Sequence, residues 1–212
     1  MTNKLTRRMQ TALAAISLAA LTALPAAAKV EGRNLTDAET AMAQSIHKEL
    51  NLLTNYGVFD SLAFSIDGNK VVLSGQASRP TLKASAERVV RNVEGVDVIV
   101  NEIEVLPLSR FDDRIRTLAY ARIYGNSALS RYNPGRGVPF YWSPVAATAG
   151  ITNDPPIGNH PIRIIVNNGN ITLEGFVDNE SDKAIAGIQA NSTPGAFAVT
   201  NNLRVLRAAH SD

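Results

Sequence analysis

The sequence predicts an α+β protein of two tandem α-β-β-α-β domains, each a three-stranded mixed sheet covered on one face by two helices. The pattern of residues 62–106 recurs without a gap in residues 162–206. Both copies alternate apolar and polar residues on either side of a turn sequence, which is typical of a β-hairpin. Apolar residues at helical spacing precede and follow each hairpin. These three observations define the fold class and the duplication.

The N-terminal segment 1–28 is set apart because it has the layout of a secretory signal peptide. Basic residues open the chain, residues 9–24 are almost wholly apolar, and Ala26–Ala28 supply the small side chains of a cleavage site. We predict cleavage after Ala28 and export to the periplasm, which leaves 29–36 as a short N-terminal tail. The alternative is an uncleaved membrane anchor, which the alanine-rich core and ending disfavour.

Removal of that segment changes the charge of the protein. The segment holds three basic residues, Lys4, Arg7 and Arg8, and no acidic one, so the net charge falls from +2 to −1. A nucleic-acid partner is therefore not expected. No other run approaches the roughly 20 apolar residues that span a bilayer. The chain has no cysteine and hence no site for lipid attachment there, so any membrane contact after cleavage is expected to be peripheral.

The duplication places a first domain at 37–106 and a second at 110–208. The identical positions include strand residues, turn and cap glycines, and the end of the last strand: Leu73/Leu173, Gly75/Gly175, Lys83/Lys183, Ala84/Ala184, Ala86/Ala186, Gly95/Gly195, Asn101/Asn201, Val105/Val205 and Leu106/Leu206. An ungapped alignment with this many matches indicates an internal repeat. The linker Pro107–Ser109 has only three residues, so we expect the two domains to pack on each other.

A helix is predicted before each hairpin. Thr36 or Asp37 can cap the first helix, whose apolar positions are Ala38, Met42, Ile46, Leu50 and Leu53. The second begins near Phe111, and Asp112 and Asp113 lie in its first turn, where carboxylates suit the helix dipole. We expect its core face to consist of Phe111, Ile115, Leu118 and Ala119.

The remaining elements follow in the same order in both copies. Asp67-Gly68-Asn69 and Asn167-Asn168-Gly169 are turn formers between two short strands, and they predict hairpins. Gly95 and Gly195 end the helices that come next. A last strand, parallel to the strand before the helix, requires a right-handed crossover and completes a small mixed sheet.

These residues resemble the BON domain (bacterial OsmY and nodulation). The matching features are the strand-turn-strand pattern, the glycine after the second helix, and an Asn-x-apolar-x-Val ending, here Asn101–Val105 and Asn201–Val205. The resemblance covers residues 37 to 206, nearly all of the mature chain, and two consecutive copies resemble the dual-BON periplasmic proteins of the OsmY type. It implies an envelope protein with roles in phospholipid binding, membrane integrity or chaperoning under osmotic stress, and no catalytic residues.

The two copies differ most in the connection between the first helix and the hairpin. The first copy has a short link, 54–61, whereas the second has an insertion at 125–161 that is rich in proline, glycine and asparagine. Long insertions of this kind are usually functional or disordered. The surrounding segment, 107–165, holds seven arginines against three aspartates and seven of the twelve aromatic residues.

Arginines and aromatic residues of this segment form the predicted binding site. Arg116, Tyr120 and Tyr124 follow at i, i+4 and i+8, and we expect them to face outward from the helix. The full candidate set is Arg110, Arg114, Arg116, Tyr120, Tyr124, Arg131, Arg136, Phe140, Tyr141 and Trp142. Exposed tyrosine beside arginine suits anionic phospholipid headgroups and equally a protein partner in the envelope.

A structural role for the insertion is the alternative. In that case the loop covers its own domain or the neighbouring one, and Phe140-Tyr141-Trp142 fills a hydrophobic gap. The two interpretations are compatible, since a packed loop can still present its arginines.

No motif of catalysis, metal binding or nucleotide binding stands out. His47, His160 and His210 lie on different predicted elements without a second ligand at metal-binding spacing, so no metal site is expected. Nucleophile-elbow and phosphate-loop motifs do not occur. We therefore predict a protein that is not an enzyme and carries no cofactor.

Overall fold

The computed structural model describes residues 15–17, 29–30, 33–134, 150–153, 155–156 and 158–206. The first part of the chain contains β1 (Ala15–Ser17), β2 (Lys29–Val30), β3 (Arg33–Asn34), α1 (Asp37–Asn51), β4 (Ser61–Asp67), β5 (Lys70–Ala77), α2 (Pro80–Arg91), β6 (Val98–Asn101) and β7 (Glu104–Val105). The second part contains α3 (Arg110–Tyr124), a 3₁₀ helix (Ser127–Tyr132), β8 (Ile162–Asn167), β9 (Asn170–Val177), α4 (Glu180–Asn191), β10 (Ala198–Asn201) and β11 (Arg204–Val205).

Both domains have the same mixed sheet, which confirms the predicted fold class. In the first domain, β4 and β5 form an antiparallel hairpin, and β6 and β7 pair in parallel with β5. In the second domain, β8, β9, β10 and β11 repeat this arrangement. The last strand of each domain is interrupted where the backbone N–H groups of Ile103 and Leu203 donate to the side chains of Asn101 and Asn201, each at 3.3 Å.

One face of each sheet carries the two helices and the hydrophobic core. In the first domain the core joins buried residues of α1 and α2 to alternate residues of the sheet: Met42, Ile46, Leu50, Leu62, Phe64, Ile66, Val71, Leu73, Leu82, Ala86 and Val90. The second domain is built alike from α3, α4 and its own sheet. Alternation along the strands and helical spacing along the helices therefore specify the same buried layer.

The first helix of each domain begins with the same cap. The Thr36 hydroxyl accepts the Glu39 N–H at 3.2 Å, and the Ser109 hydroxyl accepts the Asp112 N–H at 3.1 Å. Both helices have 15 residues, so α1 and α3 correspond from their caps onward. Under this correspondence, Tyr120 lies where the first domain has His47.

Acidic residues three positions after these caps hold the hairpin turns. The Asp112 carboxylate accepts the backbone N–H groups of Gly169 at 2.8 Å and Asn168 at 3.1 Å. Glu39 accepts the Gly68 N–H at 3.3 Å in the same way. Asp112 lies in the first turn of α3, as predicted, and its buried side chain in addition stabilises the turn between two strands.

The two domains share a core. The segment 57–60, which we call the plug, lies between α1 and β4 of the first domain, and its residues Val58 and Phe59 are buried within the core of the second domain. The Val58 carbonyl accepts the Ile164 N–H at 2.8 Å, on the edge of β8 that faces away from β9. The first domain therefore completes both the core and the sheet edge of the second.

Polar contacts fix the shape of the plug. The Asp60 carboxylate accepts the Gly57 N–H at 2.8 Å and the Ser78 N–H at 2.6 Å, and burial raises the pKa of Asp60. From the second domain, the Arg163 guanidinium donates to the Gly57 carbonyl at 2.7 Å. These bonds satisfy backbone groups that the turn of the plug would otherwise bury without a partner.

A short strand from the N-terminal segment lies on the first domain. Residues Ala15–Ser17 pair antiparallel with β4, on the edge away from β5. They belong to the predicted signal peptide, most of which lies outside the described residues, and its cleavage stays a prediction. Within the described ranges, no helix combines the length and apolar character needed to cross a bilayer.

The described parts of the insertion pack on the second domain. Leu129 and Tyr132 of the 3₁₀ helix are buried, as are Ile151 and His160. Arg136, Phe140, Tyr141 and Trp142 lie outside the described residues.

We predict that Phe59→Ala destabilises the second domain although Phe59 belongs to the first. Removal of a buried phenylalanine costs about 3–5 kcal/mol. Urea unfolding of residues 29–212, monitored by far-UV circular dichroism, measures the resulting change in the free energy of unfolding. The control is Leu52→Ala, at the exposed C-terminal cap of α1. Equal unfolding midpoints for the two variants would contradict the shared core.

Candidate functional site

The structure buries one arginine that the sequence placed on the outer face of α3. Arg116 is 1% exposed, and it donates to the Asp113 carboxylate at 2.8 Å, the Thr152 hydroxyl at 3.0 Å and the Val166 carbonyl at 2.8 Å. The prediction that Arg116 faces solvent is therefore wrong. The arginine ties α3 to β8 and to the insertion.

The two tyrosines of the same predicted face are buried as well, which is a second correction. The Tyr120 ring lies 6.4 Å from the Phe59 ring and 4.9 Å from the Tyr124 ring. The Tyr124 hydroxyl donates to the Ile162 carbonyl at 2.6 Å and accepts the Ile162 N–H at 3.1 Å. The plug and the insertion cover this side of α3, so neither tyrosine is available to a headgroup in this structure.

His160 completes the buried cluster. Its Nε2 lies 3.2 Å from the Tyr120 hydroxyl and its Nδ1 lies 2.9 Å from the Gly158 carbonyl. A neutral imidazole that carries its proton on Nδ1 satisfies both contacts. Burial lowers the pKa of His160 to about 4 and raises the pKa of Tyr120 to about 12. The contact between His160 and Tyr120 was not predictable from local pattern, because the two residues lie 40 positions apart in the chain.

Arg131 is held by acids of the second domain. Its Nε donates to Asp178 at 2.9 Å, and its Nη2 contacts Asp182. Its guanidinium also lies 5.0 Å from the centre of the Tyr132 ring. Because two carboxylates neutralise Arg131, it is less suited to bind a lipid headgroup than an arginine without an ion pair.

Three predicted site residues remain exposed among the described ones: the ion-paired Arg131, and Arg110 and Arg114. Arg110 and Arg114 lie on α3. They flank Phe111, which was expected in the core and is instead 47% exposed, a third correction. The Phe111 ring lies against Phe197, which is 76% exposed, with ring centroids 5.9 Å apart. We call these four residues, Arg110, Phe111, Arg114 and Phe197, the aromatic–arginine surface.

A rigid base positions this surface. Phe197 donates its N–H to the Gly169 carbonyl at 2.9 Å, and its ring lies directly over Gly169. A Cβ at Gly169 would approach the Phe197 ring to 2.5 Å, and φ is +80° there, so the close approach requires glycine. The carboxylate of Asp112 holds the Gly169 N–H from the other side.

The first domain has a different surface at the corresponding place. Asp97 corresponds to Phe197, and Asn69 to Gly169. The Asn69 side chain donates to the Asp97 carboxylate at 2.7 Å. By the alignment of the helix caps, Asp37 corresponds to Arg110. The first domain is therefore acidic where the second is basic and aromatic.

Sequence reasoning missed Phe197 and misplaced Phe111. The alignment of the two copies contained a usable signal, since an aspartate in one copy is replaced by phenylalanine in the other. A large apolar side chain at a position that tolerates a charge indicates an exposed apolar contact.

The described residues offer no sign of a metal centre. Groups of three or more histidine, aspartate or glutamate side chains that could hold an ion do not occur among them.

A family model described as BON domain matches residues 38–107 and 147–207. BON domains are binding modules without a catalytic role, and the proteins that carry them are associated with the bacterial envelope. No curated protein matches the chain in sequence.

Two solved structures are similar to the chain at low identity. One is the C-terminal domain of CdsD, the structural protein of the type III secretion system of Chlamydia trachomatis, with 13% identity over 77% of this chain and 96% of that chain and a TM-score of 0.24. The other is a structure of CdsD from the same secretion system, with 12% identity over 79% and 93% of the two chains and a TM-score of 0.24. TM-scores this low indicate nothing about what the chain binds.

We predict that His160 makes the stability of the protein depend on pH. The folded pKa of about 4 lies below the ordinary 6.5, so the unfolded chain binds the proton first. The neutral imidazole of His160 therefore contributes its full stabilisation of the folded state above pH 6.5. As the pH falls toward 4, roughly 3 kcal/mol of the free energy of unfolding is lost. Urea unfolding at several pH values, compared with His160→Phe, isolates the effect because other groups titrate in both chains. Identical pH profiles would contradict the prediction.

Proposed function

The chain belongs to the BON domain family, and on that premise we propose that it is a peripheral envelope protein whose second domain contacts anionic phospholipid. The contact is the aromatic–arginine surface. It replaces most of the site expected from the sequence, since Arg116, Tyr120 and Tyr124 are buried, but it keeps Arg110 and Arg114. Arg136, Phe140, Tyr141 and Trp142 are not used in this proposal.

One observation carries the proposal: two phenylalanine rings are exposed side by side beside two arginines. Arg110 and Arg114 form no salt bridge within the described part of the chain, where the ion pairs are Arg91–Glu87, Arg116–Asp113 and Arg131 with Asp178 and Asp182. Adjacent exposed rings are typical of a contact with a membrane or a protein, and the two arginines beside them favour an anionic membrane. Guanidinium groups at the same level meet lipid phosphate.

The magnitudes favour weak, reversible attachment. A basic residue near an anionic membrane surface contributes about 1 kcal/mol. Two arginines therefore contribute about 2 kcal/mol, and partial insertion of two phenylalanine side chains adds about 1 kcal/mol each. Binding of this strength depends on lipid charge and weakens with salt.

The location follows from the predicted leader. If residues 1–28 direct export and are removed, the mature chain meets the periplasmic face of a membrane. The corresponding surface of the first domain, with Asp37 and Asp97, would be repelled by an anionic membrane, so we expect the second domain to make the contact.

A protein-binding role is the second candidate, and the outer edge of β4 favours it. In the full chain β1 pairs with this edge. Cleavage after Ala28 would remove β1 and leave the N–H and C=O groups of the edge free to pair with an extended peptide. The equivalent edge of β8 is closed by the plug.

Vesicle flotation of residues 29–212 tests the lipid proposal. Both hydrophobic cores consist of residues that this chain retains. We expect flotation with phosphatidylglycerol vesicles at low salt and little with neutral ones. Arg110→Ala with Arg114→Ala should weaken binding about 30-fold, and Phe197→Ala about fivefold.

Matched controls separate a specific site from general charge. Arg88→Ala with Arg91→Ala removes the same charge from exposed positions on α2, and Leu52→Ala removes an exposed apolar side chain. Both controls should float like the unmodified chain. Equal losses in the controls, or no flotation with acidic vesicles, would rule out this surface as a lipid site.

The second candidate has its own test. In residues 29–212, we expect an extended apolar peptide to protect the β4 amides from hydrogen exchange. In the full chain, where β1 already pairs with β4, the peptide should add no protection. Protection in neither chain would remove the peptide-docking role.

A further inference from the structure

A cleft of about 330 Å³ lies between the two domains, away from the aromatic–arginine surface. Its walls come from the end of α1 and the adjoining Tyr56 in the first domain, and from the 3₁₀ helix, residues 159–161 and β8 in the second. A smaller pocket of about 220 Å³ shares Asn51, Tyr56, Asn159 and Arg163 with it. Neither domain alone would form this site.

Arg163 is the central group of the cleft. It is only 8% exposed, its guanidinium lies 4.2 Å from the centre of the Tyr56 ring, and it donates one bond to the Gly57 carbonyl. It takes part in none of the ion pairs of the described chain. Two acids near it are engaged elsewhere: Asp60 accepts two backbone N–H groups, and Glu174 accepts the Ser61 hydroxyl.

A buried cation without an anion is unfavourable unless something compensates it. Arg131, the other cation of the cleft, already has Asp178 and Asp182 as partners. Glu174, opposite Arg163 in the sheet, and Asp60 offset part of its charge, but no carboxylate of the described residues lies within ion-pair distance of its guanidinium. A guanidinium binds phosphate through two parallel hydrogen bonds, so the free side of Arg163 fits this class of ligand.

Neutral donors surround the same space. The amides of Asn51 and Asn159 line both pockets, and His47 lies beside Asn51, with 3.0 Å between the Asn51 Nδ2 and an imidazole nitrogen. Donors on several sides suit a tetrahedral anion, which offers oxygen atoms in every direction. The volume is at the lower end of the range for ligand pockets, so it fits a small molecule or a single headgroup.

We propose that the interdomain cleft binds a small phosphate ester, with Arg163 as the anion-binding residue and Asn51 and Asn159 as additional donors. The phosphate can come from a free metabolite or from a lipid headgroup, and the two sources share this chemistry. Because the ligand would contact both domains, it would bind only while the plug holds them together.

Calorimetric titration of residues 29–212 with inorganic phosphate and with glycerol 3-phosphate, in chloride buffer of matched ionic strength, tests the proposal. We expect saturable binding that Arg163→Gln weakens about tenfold or more, since a charged hydrogen bond is lost. Asn159→Ala, at an exposed position, should weaken binding without affecting folding and serves if Arg163→Gln is unstable. Arg88→Gln is the matched charge control.

The outcomes separate this site from the lipid surface. Phe197→Ala should leave phosphate binding unchanged, whether or not it affects vesicles. If Arg163→Gln also weakens binding to phosphatidylglycerol vesicles, the natural source is a headgroup; if only the soluble ligands are affected, it is a free phosphate ester. No saturable binding of either soluble ligand, or equal binding by Arg163→Gln and the unmodified chain, would overturn the proposal.

Discussion

The hydrogen bond from Ile164 to the Val58 carbonyl, together with the burial of Val58 and Phe59 beside it, is the contact on which the arrangement of the protein depends. It closes the edge of β8, fills the core of the second domain and covers the side of α3 that carries Tyr120. Without it, the second domain would expose an unpaired strand and buried aromatic rings. Two similar domains thereby become one unit with two unlike surfaces.

The fold was predictable because it is encoded by local pattern. Alternation in the strands, helical spacing, glycine caps and the repeat all concern residues close in sequence or at a fixed offset, and the structure confirms the tandem mixed sheets. The burial of α3 was not predictable in this way. The spacing of Arg116 and Tyr120 predicted an exposed stripe on α3. Both are instead covered by residues distant in the chain, namely Thr152, His160 and Phe59.

The duplication also explains how one domain could acquire a separate role. The shared fold keeps the turn-holding carboxylates Glu39 and Asp112 and the caps before them. Positions outside that framework have diverged, so that Asp97 in the first domain corresponds to Phe197 in the second. The insertion and the plug then add contacts that neither copy has alone, including the cleft around Arg163. The proposed functions therefore reside in the positions and segments that the copies do not share.

Amide hydrogen exchange of residues 29–212, resolved by residue, tests the joining of the domains most directly. Ile164 and Phe64 occupy equivalent positions on the outer strands of the two sheets, and both cores lie within this chain. The plug should protect the Ile164 amide as strongly as the central strand β9, whereas Phe64, whose partner strand β1 is absent from this chain, should exchange quickly. Equally fast exchange at both amides would show that the domains are not joined in solution.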